Sequence, residues 1–246
     1  SWDANSAWQI GGGGTVWDAI VYDPQFDQVI VGVGNGGPYP RAIRSPAGGD
    51  NLYLDSLIAL DRQTGKMKWY IQTSPHDTHD RDANQTPILI DGNYQGRPRK
   101  LIAMASRSGY YFLLDRATGE SLVTVPYGGQ NWSAGVDKRG QPIPKEDVEP
   151  TLDGAFFEGT TTNWCSPSYS PDTKLFYVNA SHGFSISYLM PDPETGKVED
   201  HQGKRIATSY DGIVEKYLAE RGIKASVVRL DGAVETSIQL GVADVI

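Results

Sequence analysis

The five-residue turn Asp-x-x-Thr-Gly, set between short apolar runs and used more than once, limits this chain to a small set of folds. In Ala59-Leu60-Asp61-Arg62-Gln63-Thr64-Gly65-Lys66-Met67-Lys68-Trp69 it joins two predicted strands. The Asp and Thr side chains can hydrogen-bond the turn backbone, Gly65 can supply the positive φ, and Trp69 is expected to pack back across the hairpin. Asp115-Arg116-Ala117-Thr118-Gly119 repeats the turn after a predicted strand at residues 110–114, and Asp192-Pro193-Glu194-Thr195-Gly196-Lys197 is a looser third copy. A second pattern also recurs: Tyr22-Asp23-Pro24 precedes the apolar run 29–33, and Tyr169-Ser170-Pro171 precedes the run 175–178. Two kinds of hairpin returning every 50 to 80 residues or so point to blades of a β-propeller. An ordinary sandwich with convergent turns is the competing reading of the same pattern. Asp50-Asn51 reads as a turn before a strand at residues 52–60, with no chemistry assigned to it.

The composition breaks near residue 200. All six tryptophans lie at or before Trp164, and beyond residue 200 the aromatics are Tyr210 and Tyr217 alone. The last stretch reads as a strand at 205–210, then a helix opened by Asp211-Gly212 in which Ile213, Val214, Tyr217 and Leu218 keep helical spacing. Gly222 closes that helix as its C′ residue; a strand at 227–230 and a helix at 233–240 complete a β-α-β-α order. Two domains are expected, 1–199 and 200–246, with a protease-sensitive junction at about 194–204 where Pro, Gly and charged residues dominate.

A net charge of −8 without any Lys/Arg block gives no electrostatic footprint for nucleic acid. No apolar run approaches the roughly 20 residues of a membrane-spanning helix. Cys165 is the one cysteine of the 246 residues, so the chain can form neither an internal disulfide nor a thiolate zinc site. Ser1-Trp2-Asp3 is not a signal peptide and carries no initiator Met, from which an upstream segment is expected.

The Ala-x-Asp-x-x-Thr-Gly-Lys-x-x-Trp run resembles the tryptophan-docking motif of the quinoprotein alcohol dehydrogenases, eight-bladed propellers that use pyrroloquinoline quinone (PQQ). Gly13-Gly14-Thr15-Val16-Trp17, Gly32-Val33-Gly34-Asn35 and Pro75-His76-Asp77-Thr78-His79-Asp80 follow in the order and near the spacing of that family. The resemblance implies a mainly β chain, a partial eight-bladed propeller of the quinoprotein type followed by a short α/β fragment. It also implies oxidation of a primary alcohol to an aldehyde, by hydride transfer to PQQ with calcium or a lanthanide ion at the quinone carbonyl. A cytochrome c-type electron acceptor and a periplasmic location come with it.

Residue by residue, the resemblance assigns Trp17 as the flat wall on the quinone, with a propeller-core tryptophan as the alternative. Thr15, Arg107, Asn163 and Trp164 are further cofactor contacts, and Arg107 would stabilise the reduced cofactor. Asn35, Asp80 and Asp82 are the metal ligands, oxygen donors of the kind a hard cation takes, and Asp80 is also the general base. Asp82 resembles the extra carboxylate of the lanthanide-using branch, and reads equally as a surface charge. His79 stands where the family has Trp, so the pocket wall is altered. The family's metal-binding Glu and vicinal-cysteine disulfide would fall before Ser1, and further blades after residue 199. The chain alone is therefore expected not to turn over alcohol, since a partial ring leaves strand edges open.

The tail resembles a different family. Residues 206–210, Arg229-Leu230-Asp231-Gly232-Ala233-Val234-Glu235-Thr236-Ser237 and Gly241-Val242-Ala243-Asp244 are similar to ATP phosphoribosyltransferase of histidine biosynthesis. The resemblance makes Asp231, Gly232, Ala233, Val234, Glu235, Thr236 and Ser237 the loop for phosphoribosyl pyrophosphate. Free N–H groups at a helix N-terminus suit phosphate, though Asp231 could equally be an ordinary N-cap. If the tail defines the protein, its place is cytoplasmic. A non-catalytic propeller scaffold is the third reading of the whole chain.

Overall fold

A computed structural model describes residues 1–2, 13–18, 20–188, 202–208, 210–230, 237 and 240–244. The chain divides into two compact units, Ser1–Leu189 and Met190–Ile246. The boundary expected between 199 and 200, the third turn copy and the helix expected at 233–240 fall on residues outside or mostly outside the described ones.

In the first unit, β1 (Ile20–Asp23), β2 (Gln28–Gly32), β3 (Ser56–Asp61) and β4 (Met67–Gln72) form one four-stranded sheet in chain order. A four-residue helix, α1 (Arg41–Arg44), lies within the long β2–β3 connection. The strands β5 (Ile88–Tyr94), β6 (Arg97–Ala105), β7 (Tyr110–Asp115) and β8 (Ser121–Pro126) form a second sheet of the same antiparallel design. Chain-order meanders of four strands are the blade pattern rather than that of a sandwich. Three antiparallel pairs complete the unit: β9 (Ser133–Val136) with β10 (Pro142–Pro144), β11 (Ala155–Thr161) with β14 (Ser181–Ser187), and β12 (Ser168–Ser170) with β13 (Leu175–Tyr177).

Strand periodicity explains why both faces of each sheet are apolar. Successive side chains point to opposite faces, so Leu57 and Ala59 of β3 join Ile102 and Met104 of β6 and Tyr110, Phe112 and Leu114 of β7 in one core between the sheets. The alternate residues face outward: Ile58 and Leu60 pack with Val31 and Val33, whereas Leu101, Ala103, Tyr111 and Leu113 meet Tyr169 and Phe176 of the β12–β13 hairpin. Sheets stacked face to face in this way are consecutive layers, and the first unit is a partial β-propeller.

The repeated turn is built alike in both sheets. Asp61 Oδ1 accepts from the backbone N of Gln63 and Thr64 and from Thr64 Oγ1 at 2.8–3.1 Å. Asp115 Oδ1 accepts from Ala117, Thr118 and Thr118 Oγ1 at 3.0–3.3 Å. Trp69, however, does not fold back over its own hairpin. Its position in β4 faces the neighbouring sheet, and its Nε1 donates to the Arg116 carbonyl at 3.2 Å, inside the second copy of the turn. Gly119, at φ +72°, lies against the indole so closely that a Cβ there would sit 2.7 Å from the ring. Thus the tryptophan of one blade docks on the turn of the next.

The strand expected at 52–60 begins only at Ser56. Asn51 and Asp55 take φ +53° and +50°, left-handed values that no strand continues through.

In the second unit, β15 (Arg205–Thr208) and β16 (Ser226–Arg229) pair in parallel, with α2 (Asp211–Glu220) between them in sequence. Gly222 is the C′ residue, at φ +69°, as its position predicts. Ile223 N donates to Leu218 O and Gly222 N to Ala219 O, the paired bonds of a Schellman motif. Leu218 is buried, and Ile213 and Tyr217 are exposed.

Candidate functional site

Thr15, Trp17, Asn35, Asp80 and Asp82 lie on three loops that meet in the first unit. The loop 13–17 lies along residues 34–36: Gly34 N donates to Thr15 O at 2.9 Å and Gly14 N to Asn35 O at 2.8 Å. This approach requires glycine, because a Cβ on Gly34 would stand 2.8 Å from Asp82 Oδ1 and 3.1 Å from Thr15 O. The third loop, residues 74–85, is almost wholly buried and takes its shape from Asp77. The Asp77 carboxylate accepts from the backbone N–H of His79 and of Arg81, and pairs with the Arg81 guanidinium at 2.7 Å. Burial opposes ionisation of Asp77, but Arg81 and those N–H groups outweigh it and hold its pKa below the usual carboxylate value. Arg81 in turn lies 4.2 Å from the Trp132 ring centroid.

Within this frame Asp80 and Asp82 share one cation. Arg107 Nη2 lies 3.2 Å from Asp80 Oδ2, and its Nη1 lies 3.4 Å from Asp82 Oδ2. Arg107 is itself fastened by its backbone N–H to Gln85 Oε1 at 2.9 Å. The other Asp82 oxygen accepts from the Asn35 backbone N–H at 2.8 Å. Asp82 is 6% exposed, so it is no surface charge. Asp80 sits at φ +58°, and its pKa is raised by burial, with Arg107 pulling the other way.

Tyr39 was not among the residues singled out from the sequence, yet its side chain interacts with both Asp80 and Asn35. Burial and the Asp80 charge push the phenol up to about 12, so it stays protonated. Its signal in the sequence is slight: it follows Gly36-Gly37-Pro38 directly after the candidate ligand Asn35. Tyr39, His79, Asp80, Phe157 and Tyr188 line a cleft of about 430 Å³, the size of a small-molecule site. The His79 ring stacks on Phe157 with centroids 4.7 Å apart, and its Nδ1 bonds Thr78 Oγ1 at 2.9 Å. Burial, followed by the Arg81 charge, lowers its pKa to about 4. It is thus a neutral aromatic wall.

Trp17 is 45% exposed and meets Trp164, 61% exposed, edge to face at 6.2 Å between centroids. With its amide oxygen turned toward the indole, Asn84 accepts from Trp17 Nε1 and donates to the Gly32 carbonyl. That joins Trp17 to the loop carrying Asp80 and Asp82. Asn163 lies beside Trp164, and its Oδ1 accepts from the Trp164 N–H at 3.0 Å. Thr15 reaches the cluster through its carbonyl.

Comparisons with known proteins place the first unit in a family. Residues 1–153 match the family model described as the glucose/ethanol/alcohol dehydrogenase β-propeller domain, of the PQQ type. The chain belongs to this family. Similar relatives of this PQQ dehydrogenase family include the quinohemoprotein alcohol dehydrogenase of Comamonas testosteroni, 40% identical over 192 residues, 74% of this chain and 26% of that protein. The dehydrogenase subunit of the alcohol dehydrogenase (quinone) of Gluconobacter oxydans is 40% identical over 187 residues, 73% of this chain and 25% of that protein. Among solved structures, the quinohemoprotein alcohol dehydrogenase ADHIIG from Pseudomonas putida superposes with a TM-score of 0.69 at 33% identity, covering 80% of this chain and 30% of that one. A europium-containing methanol dehydrogenase gives 0.59 at 25% identity, covering 76% and 36%. The chain spans about a quarter of the length of the curated relatives it matches.

Residues 181–246 match the ATP phosphoribosyltransferase family model. Of the proposed phosphate loop, Asp231, Gly232, Ala233, Val234, Glu235 and Thr236 lie outside the described residues, whereas Ser237 is buried and its carbonyl accepts from Val242 N at 2.9 Å. Arg205 pairs with Asp244 at 2.8 Å in the same unit.

The donor set at the first-unit site is all oxygen. Two carboxylates close enough to share one guanidinium, one of them bonded by the Asn35 backbone N–H, fit a hard cation in donor type. Among the described residues no group of three or more His, Cys, Asp or Glu side chains is arranged to hold a metal ion. No described helix is long and apolar enough to cross a membrane.

Proposed function

We propose that the first unit carries part of the cofactor and cation site of a quinone-dependent alcohol dehydrogenase that oxidises a primary alcohol to an aldehyde. One observation carries this reading: Asp80 and Asp82 converge on Arg107 while Asp82 is tied to the Asn35 backbone. Asn35, Asp80 and Asp82 would hold calcium or a lanthanide, and Trp17, Thr15, Arg107, Asn163 and Trp164 would hold PQQ. What such a pair supplies is a hydride acceptor whose carbonyl a Lewis acid polarises.

The chain's own residues do the rest. Asp80 accepts the alcohol proton, and its partial burial makes it a stronger base than a solvated carboxylate. Arg107 keeps the two neighbouring carboxylates compatible and places a fixed positive charge beside the reacting centre. Trp17 offers an exposed flat face for a planar ring. His79 and Phe157 exclude water from one side of the cleft. The alcohol, a cytochrome c-type electron acceptor and a periplasmic location belong to this proposal, as does a family boundary at residues 199 and 200.

Titrating the purified chain with PQQ in the presence of calcium or a lanthanide tests it. A saturable change in the quinone absorbance, weakened in Trp17→Ala, is expected. No change at saturating quinone overturns the reading.

A second reading concerns the tail alone. The family-model match and the parallel β15–α2–β16 arrangement support a phosphoribosyltransferase fragment. Calorimetric titration with phosphoribosyl pyrophosphate tests whether it binds, and a flat trace leaves the tail without that role.

A further inference from the structure

Arg44, the last residue of α1, is fully buried, and among the described residues no carboxylate lies within ion-pair distance of it. A guanidinium in such a place is costly unless its donors are satisfied otherwise. Here they are satisfied by the backbone of two loops. Nη1 donates to the carbonyls of Gly36, Pro38 and Tyr39 at 3.4, 3.1 and 3.3 Å. Nη2 donates to the Asp77 carbonyl, and Nε to Asn51 Oδ1 at 3.1 Å.

Those two loops are the ones that carry the candidate ligands. Gly36 is one residue from Asn35. Asp77 not only receives Arg44 at its carbonyl but also holds, through its carboxylate, the N–H groups of His79 and Arg81 on either side of Asp80. A planar, rigid fork can bridge two backbones at fixed separation, which a lysine ammonium on a flexible stem cannot.

We propose that Arg44 is a positioning residue: it clamps the Asn35 loop to the Asp77–Asp82 loop and thereby sets the affinity of the site for a hard cation. This rests on the cation reading above. Residues that orient a ligand without touching the ion typically change metal affinity by about 10- to 100-fold when altered.

Terbium(III) added alone to the full chain, with luminescence sensitised through Trp17 and Trp164, measures that affinity without any turnover. Wild type is expected to bind saturably, and Asp82→Ala to lose most of the signal. Arg44→Lys should bind at least about tenfold more weakly while keeping the wild-type far-UV circular dichroism. Ile102→Val, a core change in the second sheet, serves as a control that lowers the thermal midpoint without touching either loop. It should bind terbium as wild type does. If Arg44→Lys binds as tightly as wild type, the positioning role is overturned while the cation reading stands. If Ile102→Val loses as much affinity as Arg44→Lys, affinity merely follows stability, and the role is again overturned. If wild type itself binds no terbium, the cation reading falls and takes this inference with it. Should Arg44→Lys not fold, Asn51→Gly decides: it removes the Nε acceptor at a position of φ +53° that glycine tolerates. A several-fold loss supports the clamp, and unchanged affinity overturns it.

Discussion

Asp55 shows how a single buried carboxyl can govern the response of this unit to pH. It is fully buried, neither carboxyl oxygen has a hydrogen-bond partner, and burial, reinforced by Asp77 and Asp82, raises its pKa well above the usual value. An acid that titrates higher in the folded than in the unfolded chain makes stability fall as pH rises above about 4, where the unfolded carboxyl ionises, until the folded value is reached. Asp55→Asn should remove this component. The stability difference between variant and wild type should grow by up to about 1.4 kcal/mol per pH unit from pH 4 upward and be constant below it, as read by urea unfolding. Parallel pH curves would show that Asp55 does not titrate in this way. At the same scale, Trp69→Ala should destabilise the first unit by about 3–5 kcal/mol, since it empties the contact between successive sheets. Gly119→Ala, which forces a Cβ into that ring at a positive φ, should cost at least about 1 kcal/mol. Thermal unfolding checks both.

Among the elements, what was legible in sequence is what is bonded locally. The Asp-x-x-Thr-Gly turns are readable because each Asp ties N–H groups two and three residues along, and Gly222 is readable because a C′ residue answers only to its own helix. Gly222→Ala should loosen the end of α2 by about 1 kcal/mol, visible as faster amide exchange at position 222 and at Ile223, whose N–H groups make the capping bonds. The destination of Trp69 was not legible, because it depends on a sheet some 50 residues further along. The late start of the strand at Ser56 is not legible, because the left-handed backbone at Asn51 and Asp55 leaves no mark in apolar content. Tyr39 and Arg44 carry little sequence signal for a related reason: their partners are backbone atoms and side chains of loops that meet only in the folded unit. The candidate site residues rest on resemblance to a family; without it Asp80 reads as a solvated loop carboxylate, Asp82 as a surface charge and Asn163 as a turn residue.

In the molecule as a whole, every candidate ligand of the proposed quinone site lies in the first of the two compact units. A chain ending at residue 189 should bind PQQ and cation within about twofold of the full chain, measured by the same absorbance titration, because every candidate ligand lies before that point. If quinone and cation share the proposed site framed by Trp17, Asn35, Asp80, Asp82 and Arg107, their binding is thermodynamically linked. Measuring the PQQ dissociation constant with and without the cation, and that of the cation with and without PQQ, should yield the same tightening factor in both directions. A reciprocal factor that disappears in Asp82→Ala is expected; quinone and cation binding that are independent of each other would mean that the two do not share a site.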